Sequence, residues 1–80
     1  MKKSIIALSD LKLNELCSIR RLSFGREKAL RLNELGLVKG TNLKIVKRAP
    51  SGFPVAVFTR GYELCLNRSE CENIVVEVIK

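Results

Sequence analysis

The chain has 80 residues, with 46% hydrophobic residues, 29% charged residues and a formal net charge of +7 at neutral pH. This length and composition predict a single globular domain over residues 1–80, and they exclude a disordered chain or a second domain of ordinary size. The absence of histidine removes the usual general base at neutral pH and every histidine-dependent triad, so we predict no catalytic residues and no enzymatic activity.

The N-terminal quarter of the chain predicts two strands separated by a turn. Residues 5–8 are predicted as a short strand, and the Ser, Asp and Leu at 9–11 are typical of a turn. The opening imitates a secretion signal, but Asp10 interrupts its apolar run, so we interpret it as mature chain. Asn14 can take a left-handed turn conformation, and residues 16–22 are predicted as a strand. No run of about 18 apolar residues occurs, so no membrane span is predicted.

One helix is predicted clearly, over residues 26–35, because this stretch consists of good helix formers. Ala29, Leu32 and Leu35 recur on one face and are expected to cover the core. Leu30 lies off that face among charged residues and is expected to be exposed.

Glycines and alternating apolar residues organise the rest of the chain. Gly36 is expected to end the helix in a left-handed cap, and Lys39-Gly40 fits the centre of a type II turn. Residues 49–54 are predicted as a loop and 67–73 as a single helical turn. Strands are predicted over 42–48, 55–59, 62–66 and 74–79. The predicted fold class is mainly β with one helix, a small and partly open β-barrel of about five strands.

Four short motifs follow one another along the chain. They are LSDL at 8–11, RLNELGL at 31–37 followed by KGT at 39–41, RAPSGFP at 48–54, and RGYEL at 60–64 followed by Leu66, Arg68 and Glu70. In their order and spacing they resemble the FeoA family, whose members are small companions of the FeoB ferrous iron transporter. The match spans residues 8–76. It departs from the family pattern at Leu13-Asn14, where Pro-Gly is usual, at Asn67, where a basic residue is common, and at Cys71, where Ala is common.

The resemblance implies an SH3-like barrel and a role in bacterial ferrous iron uptake. It further implies a cytoplasmic protein whose partner is the cytosolic domain of a FeoB-like membrane GTPase transporter. No small-molecule substrate follows from it, and any membrane contact would be indirect, through that partner. The oligomeric state is left open.

The three cysteines are Cys17, Cys65 and Cys71. An odd count favours a reducing compartment over a disulfide framework. Cys65 and Cys71 do not have a common metal-ligand spacing and no histidine can complete a site, so we predict no metal, no cofactor and no tight binding of ferrous iron. Cys65 alternates with Leu64 and Leu66 and is expected to be buried or half-buried on the opposite side.

The positive charge is concentrated in residues 20–60, which hold ten Lys and Arg against two Glu. Such a region favours nucleic acid, anionic lipid or an acidic protein, and it is also compatible with solubility alone. A nucleic acid or ribosome-binding barrel is therefore the alternative function. Its weakness is the small number of aromatics, since Phe58 and Tyr62 are expected to pack within the fold and leave no base-stacking platform. A free-standing version of the SH3-like domain of DtxR-type iron-dependent repressors, also a protein-contact module, is a more distant alternative.

Two short stretches supply the candidate partner-binding residues. In and after the helix these are Leu30, Arg31, Leu32 and Leu37, because Leu30 is an apolar side chain among charges. In the loop they are Pro50, Phe53 and Pro54, because an aromatic side chain between prolines can be displayed at low entropy cost. The alternative for Phe53 is packing over an open end of the barrel.

Overall fold

The computed structural model describes residues 4–79 as six β-strands and two α-helices. The strands are β1 (Ser4–Ala7), β2 (Leu16–Leu22), β3 (Asn42–Arg48), β4 (Val55–Thr59), β5 (Tyr62–Leu66) and β6 (Ile74–Val78), the helices are α1 (Arg26–Glu34) and α2 (Arg68–Glu72), and a 3-10 turn covers Leu8–Asp10. Within this part of the chain no helix has the length and apolar character needed to cross a membrane.

All six strands form one antiparallel sheet in the order β1-β6-β2-β3-β4-β5. The C-terminal strand β6 lies between β1 and β2, so it joins the two ends of the described chain. The pairing shifts between Ile19 and Arg21 in β2 and between Ile45 and Lys47 in β3. Such bulges bend and twist a sheet, which lets these short strands wrap around one core.

The predicted count of about five strands and one helix is not exact, because the structure has six strands and a second, short helix. β1 is a full strand, paired with β6 from Ser4↔Val78 to Ala7↔Val75, and the single turn predicted over 67–73 is the short helix α2. No pairing joins β1 to β5 within residues 4–79, so the sheet is open and not a closed barrel. Leu8, predicted at the end of β1, instead begins the 3-10 turn with a fully buried side chain.

A single hydrophobic cluster fills the concave side of the sheet. Its members come from every strand except β1 and from both helices, and they are Leu8, Leu11, Cys17, Ile19, Leu32, Leu37, Leu43, Ile45, Val55, Val57, Leu66, Cys71, Ile74 and Val76. Leu43 and Ile45 of β3 and Val55 and Val57 of β4 therefore lie on the inner face of the sheet.

The end of α1 differs from the prediction at Leu35. The helix ends at Glu34, and the N–H groups of Leu37 and Gly36 donate to the carbonyls of Leu32 and Asn33, each at 2.9 Å. This pair of bonds is a Schellman cap, and Gly36 takes the left-handed conformation it requires, with φ of +92°. The turn carries Leu37 into the core, so Leu35, which was predicted to cover the core, is exposed.

The turn between β4 and β5 packs against this cap. The Tyr62 hydroxyl donates to the Leu35 carbonyl, and the Arg60 guanidinium donates to Thr41 Oγ1 at 3.3 Å. Thr41 Oγ1 in turn donates to the Gly36 carbonyl at 3.1 Å. These contacts fix the C-terminal end of α1 to the sheet.

Gly36 and Gly40 provide a matched test of this contact, because both have φ of +92°. A Cβ at Gly36 would lie 3.0 Å from Tyr62 Oη and 3.2 Å from Arg60 Cδ, whereas one at Gly40 would meet nothing within 4 Å. We expect Gly40→Ala to cost about 1 kcal/mol through backbone strain alone. Gly36→Ala should cost about 2–3 kcal/mol, which in a domain of this size lowers the melting temperature by roughly 8–20 °C. Equal losses in thermal and urea unfolding of the two variants would contradict the proposed contact.

Candidate protein-interaction surface

The helical candidates divide into two exposed and two buried residues. Leu30 is 57% exposed, as predicted, and Arg31 beside it is also exposed. Leu32 and Leu37 are 2% and 0% exposed, because Leu32 points from α1 into the core and the Schellman turn places Leu37 beside it. The prediction that Leu32 and Leu37 contact a partner is therefore wrong, since a partner cannot reach them in the folded protein.

The loop candidates surround a half-buried aromatic ring. Pro50 and Pro54 are exposed, while Phe53 packs against the edge of the core. The guanidinium carbons of Arg48 and Arg68 lie 5.5 Å and 4.8 Å from the centre of the Phe53 ring, both within cation–π range. Phe53 is thus partly tucked in and partly displayed, and its accessible part is flanked by positive charge.

Arg48 also holds the loop in shape. Its guanidinium donates to the Gly52 carbonyl at 3.1 Å and to the Leu11 carbonyl at 2.9 Å. The loop is closed further by bonds from the Ala49 N–H to the Pro54 carbonyl and from the Gly52 N–H back to the Ala49 carbonyl. Phe53 is therefore presented on a braced loop, which reduces the entropy lost on binding a partner.

The short helix α2 links the loop to α1. At its start, the Glu70 N–H donates to Asn67 Oδ1 at 2.8 Å and the Asn67 N–H donates to Glu70 Oε1 at 2.9 Å, which is a complete capping box. The other carboxylate oxygen of Glu70 lies 2.7 Å from Lys28 Nζ on α1. Through Arg68 the same helix contacts Phe53.

We call the resulting region the helix–loop surface. It comprises residues of α1, α2 and the β3–β4 loop, namely Lys28, Leu30, Arg31, Arg68, Pro50, Phe53 and Pro54. Contacts through α2 thus connect the helix and the loop, which were predicted from the sequence as two separate candidates. It also adds Lys28 and Arg68, which sequence reasoning missed, although the Asn67-x-x-Glu70 pattern of a capping box was present as a signal for the intervening helix.

The carboxylate of Glu70 connects α2 to α1 through its ion pair with Lys28. Partial burial by itself raises the pKa of its carboxyl, but the hydrogen bonds from Lys28 and the Asn67 backbone, together with the charges of Lys28 and Arg31, outweigh burial. The net result is a pKa below the ordinary value for glutamate. The ionised carboxylate therefore stabilises the packing of α2 against α1.

The cysteines occupy two different environments. Cys17 and Cys71 are buried, and burial raises the pKa of their thiols to about 12 and about 11, with a further contribution from Glu15 and Glu70 respectively. Cys65 is exposed, contrary to the prediction, because no element within residues 4–79 covers the side of β5 opposite Leu64 and Leu66. Within residues 4–79 no three potential ligands among Cys, Asp and Glu come together as a metal site.

Two aromatic side chains expected inside the fold are also largely exposed. Phe58 and Tyr62 are 41% and 39% exposed. In β4, Val55 and Val57 face the core, so the alternation of side chains along the strand places Phe58 on the outer face. The expectation that Phe58 packs inside followed the general preference of aromatic side chains for the interior. Tyr62 lies over the end of α1 through its hydroxyl bond to Leu35.

The Glu70 link predicts a pH-dependent stability. Glu70→Gln keeps an N3 side chain able to cap α2 but removes the charge that faces Lys28. We expect a loss of about 0.5–1 kcal/mol at pH 7 in urea unfolding. Because the folded pKa is lowered, the wild-type advantage is fully present above the unfolded pKa and is lost as the pH falls through the folded value. The two stability curves should converge only once the pH lies below the lowered folded pKa, and a difference that persists at still more acidic pH would contradict a charge-based link.

The chain is similar to a family model and to several solved protein structures. A model of the FeoA domain family matches residues 6–78. The solution structure of the FeoA protein from Chlorobium tepidum superimposes with a TM-score of 0.88 at 33% identity, covering 94% of this chain and 71% of that one. The FeoA-like protein from Clostridium acetobutylicum gives 0.85 at 31% identity, covering 100% of this chain and 92% of that one. No curated protein sequence shows a significant match.

The crystal structure of FeoA from Stenotrophomonas maltophilia is similar with a TM-score of 0.74 at 31% identity, over 89% of this chain and 88% of that one. That protein is complexed with zinc and is described as a prokaryotic SH3 domain protein and a possible bacterial ferrous iron transport activating factor. The open six-stranded sheet described above is accordingly an SH3-like fold. From the family match over nearly its whole length and the similarity to several solved members, this chain belongs to the FeoA family.

Proposed function

We propose that this chain is a non-catalytic, cytoplasmic accessory protein of bacterial ferrous iron uptake. It docks through the helix–loop surface on the cytosolic domain of a FeoB-like membrane GTPase transporter and supports or regulates that transporter. Membership of the FeoA family supports the connection with ferrous iron transport, as does the description of the Stenotrophomonas relative as a possible transport activating factor.

The observation that carries the proposal is the exposure of Leu30 on a helix whose position is fixed. A leucine that is 57% exposed leaves apolar area in contact with water, and removing that area from water on binding is favourable. Its neighbours three and four positions away on the helix surface, the exposed Arg26, Glu27 and Glu34, form a polar rim, the arrangement found around apolar centres of protein interfaces. Docking sites on rigid elements lose less entropy on binding than sites on mobile loops.

The residue types of the helix–loop surface suit recognition better than chemistry. Arginine, phenylalanine and leucine bind through charge, stacking and apolar contact, and none of them acts as a general base at neutral pH. The Lys28 ammonium is engaged with Glu70. The surface therefore supports a binding role, with nucleotide hydrolysis left to the partner.

The nucleic acid alternative draws less support from the placement of the basic residues. Arg20 pairs with Glu77 at 2.6 Å, Lys28 with Glu70, and Arg48 is bonded to two backbone carbonyls. These contacts commit part of the positive charge of residues 20–60 to the protein itself. The charge that remains suits a limited acidic patch on a partner protein better than an extended phosphate backbone.

The docking role of Leu30 can be tested with Leu30→Asp, measured by calorimetry against the purified cytosolic domain of the cognate FeoB-like transporter. The variant places a charge at the apolar centre of the proposed interface, so we expect the affinity to fall by about tenfold or more. The melting temperature should stay close to that of the wild type, because the Leu30 side chain is exposed and not part of the core.

Ile5→Asp is the matched control, since Ile5 is a 52% exposed aliphatic residue on β1 and lies outside the helix–loop surface. It should bind the transporter domain like the wild type. Unchanged binding by Leu30→Asp would refute the proposed surface, and so would equal losses in the two variants.

A further inference from the structure

A second exposed apolar row crosses the outer face of the sheet, away from the core. The strand register places Leu16 of β2 opposite Lys44 of β3, and Lys44 opposite Phe58 of β4. Directly opposite residues in an antiparallel sheet lie on the same face about 5 Å apart, and their neighbours Leu43 and Val57 are buried on the other face.

The apolar members of this row are unusually open to solvent for side chains of their size. Leu16 and Phe58 are 43% and 41% exposed, and Ile79, whose N–H donates to the Leu16 carbonyl at 2.9 Å, is 40% exposed. The half-buried Lys44 lies between Leu16 and Phe58. Its alkyl chain completes an apolar floor while its ammonium stays at the surface.

A groove of about 390 Å³ lies along this row. Its volume is at the lower end of the range for ligand sites. The groove is shallow and open, and its apolar walls are exposed to solvent. These dimensions suit one or two side chains of a bound segment better than an enclosed small molecule.

The charged side chains that line the groove are all cations. Lys44 lies in its middle and Arg60 at one end, and no carboxylate of residues 4–79 lines it. Neither cation forms a salt bridge with another described residue. The Arg60 guanidinium is positioned by its bond to Thr41 Oγ1. Glu63 comes next in register beyond Phe58, but it is outside the groove and lies 4.0 Å from Lys47.

We propose that this groove docks a segment of a partner protein that carries a large apolar side chain and, within a few residues of it, a carboxylate. The apolar side chain packs between Leu16 and Phe58, and the carboxylate meets Lys44 or Arg60. Asn14 and Asn42 also line the groove and offer amide groups to the backbone of the segment. Asn14 is held in place by the bond of its N–H to the Ile45 carbonyl at 2.7 Å.

Charge argues against a second copy of this chain as the occupant. In a two-fold symmetric dimer built on the groove, the same surface faces itself. The cation-lined groove of one copy would then lie against the cation-lined groove of the other, a like-charge arrangement that opposes association. A segment of another protein that is both acidic and apolar can pack on the apolar floor of the groove and pair with its cations.

The groove shares no residue with the helix–loop surface. Its occupant can therefore be a second partner, or a second part of the same partner, bound while the helix–loop surface is engaged. The two proposals can also fail independently, because a variant of one surface leaves the other unchanged.

The test is selection of short random peptides displayed on phage against the immobilised full-length protein, followed by affinity measurements on synthetic copies of the enriched peptides. We expect enriched peptides to combine an aromatic or large aliphatic residue with a nearby Asp or Glu. Phe58→Ser and Lys44→Glu should each weaken their binding by about tenfold or more. Two variants are used so that the outcome does not depend on the folding of one, and thermal unfolding checks both.

Leu30→Asp serves as the control from the other surface and should bind these peptides like the wild type. The proposal is overturned if no peptide is enriched, if the enriched peptides lack carboxylates, or if they bind Phe58→Ser and Lys44→Glu unchanged. It is also overturned if sedimentation shows that the wild type forms a dimer that Phe58→Ser abolishes, because the occupant is then a second copy.

Discussion

The position of α1 depends on contacts at its two ends, because Leu32 is the only one of its nine residues that is buried. Apolar burial by the body of the helix is therefore too small to fix it on the sheet. Near its start, Lys28 pairs with Glu70 of α2, and at its end the left-handed Gly36 lets Leu37 enter the core while Tyr62 and Arg60 close over the cap. Leu30 is displayed on a fixed helix as a result of these two attachments.

The limited size of the core also explains why large apolar side chains remain on the surface. A small domain has one core, and here the inner face of the sheet takes most of the apolar side chains. Several large apolar side chains remain outside, among them Leu30 on α1 and the pair of Leu16 and Phe58 on the outer sheet face. Along Leu16 and Phe58 the charged side chains that line the groove are the cations Lys44 and Arg60, which favour an acidic partner and oppose self-association.

Local chemistry made much of the fold predictable from the sequence. Gly36, Gly40 and Asn14 all have the positive φ that their turn contexts indicated, and the strands predicted over 16–22, 42–48, 55–59 and 62–66 have these bounds in the structure. The errors arise where the outcome depends on distant residues. Leu35 fits the apolar period of the helix, but the Schellman turn leaves Leu35 exposed and buries Leu37 in the core instead. Cys65 could be expected inside only if another element covered the outer side of β5.

The candidate site was predictable only in part for the same reason. The exposure of Leu30 follows from its position between charged neighbours on the helix, so it could be read from local pattern. The contacts of Phe53 with Arg68 and of Lys28 with Glu70 join residues from different elements, and no local pattern gives them. These contacts connect α1 to the loop of Phe53 through α2.

Docking through the helix–loop surface is tested most directly by an NMR titration of the isotope-labelled protein with the purified cytosolic domain of its FeoB-like transporter at physiological salt, with and without guanine nucleotide. We expect localised shifts at Leu30, Arg31, Phe53 and Arg68, with little change on β1. The absence of shifts at high protein concentration, or shifts confined to other parts of the molecule, would contradict docking through the helix–loop surface.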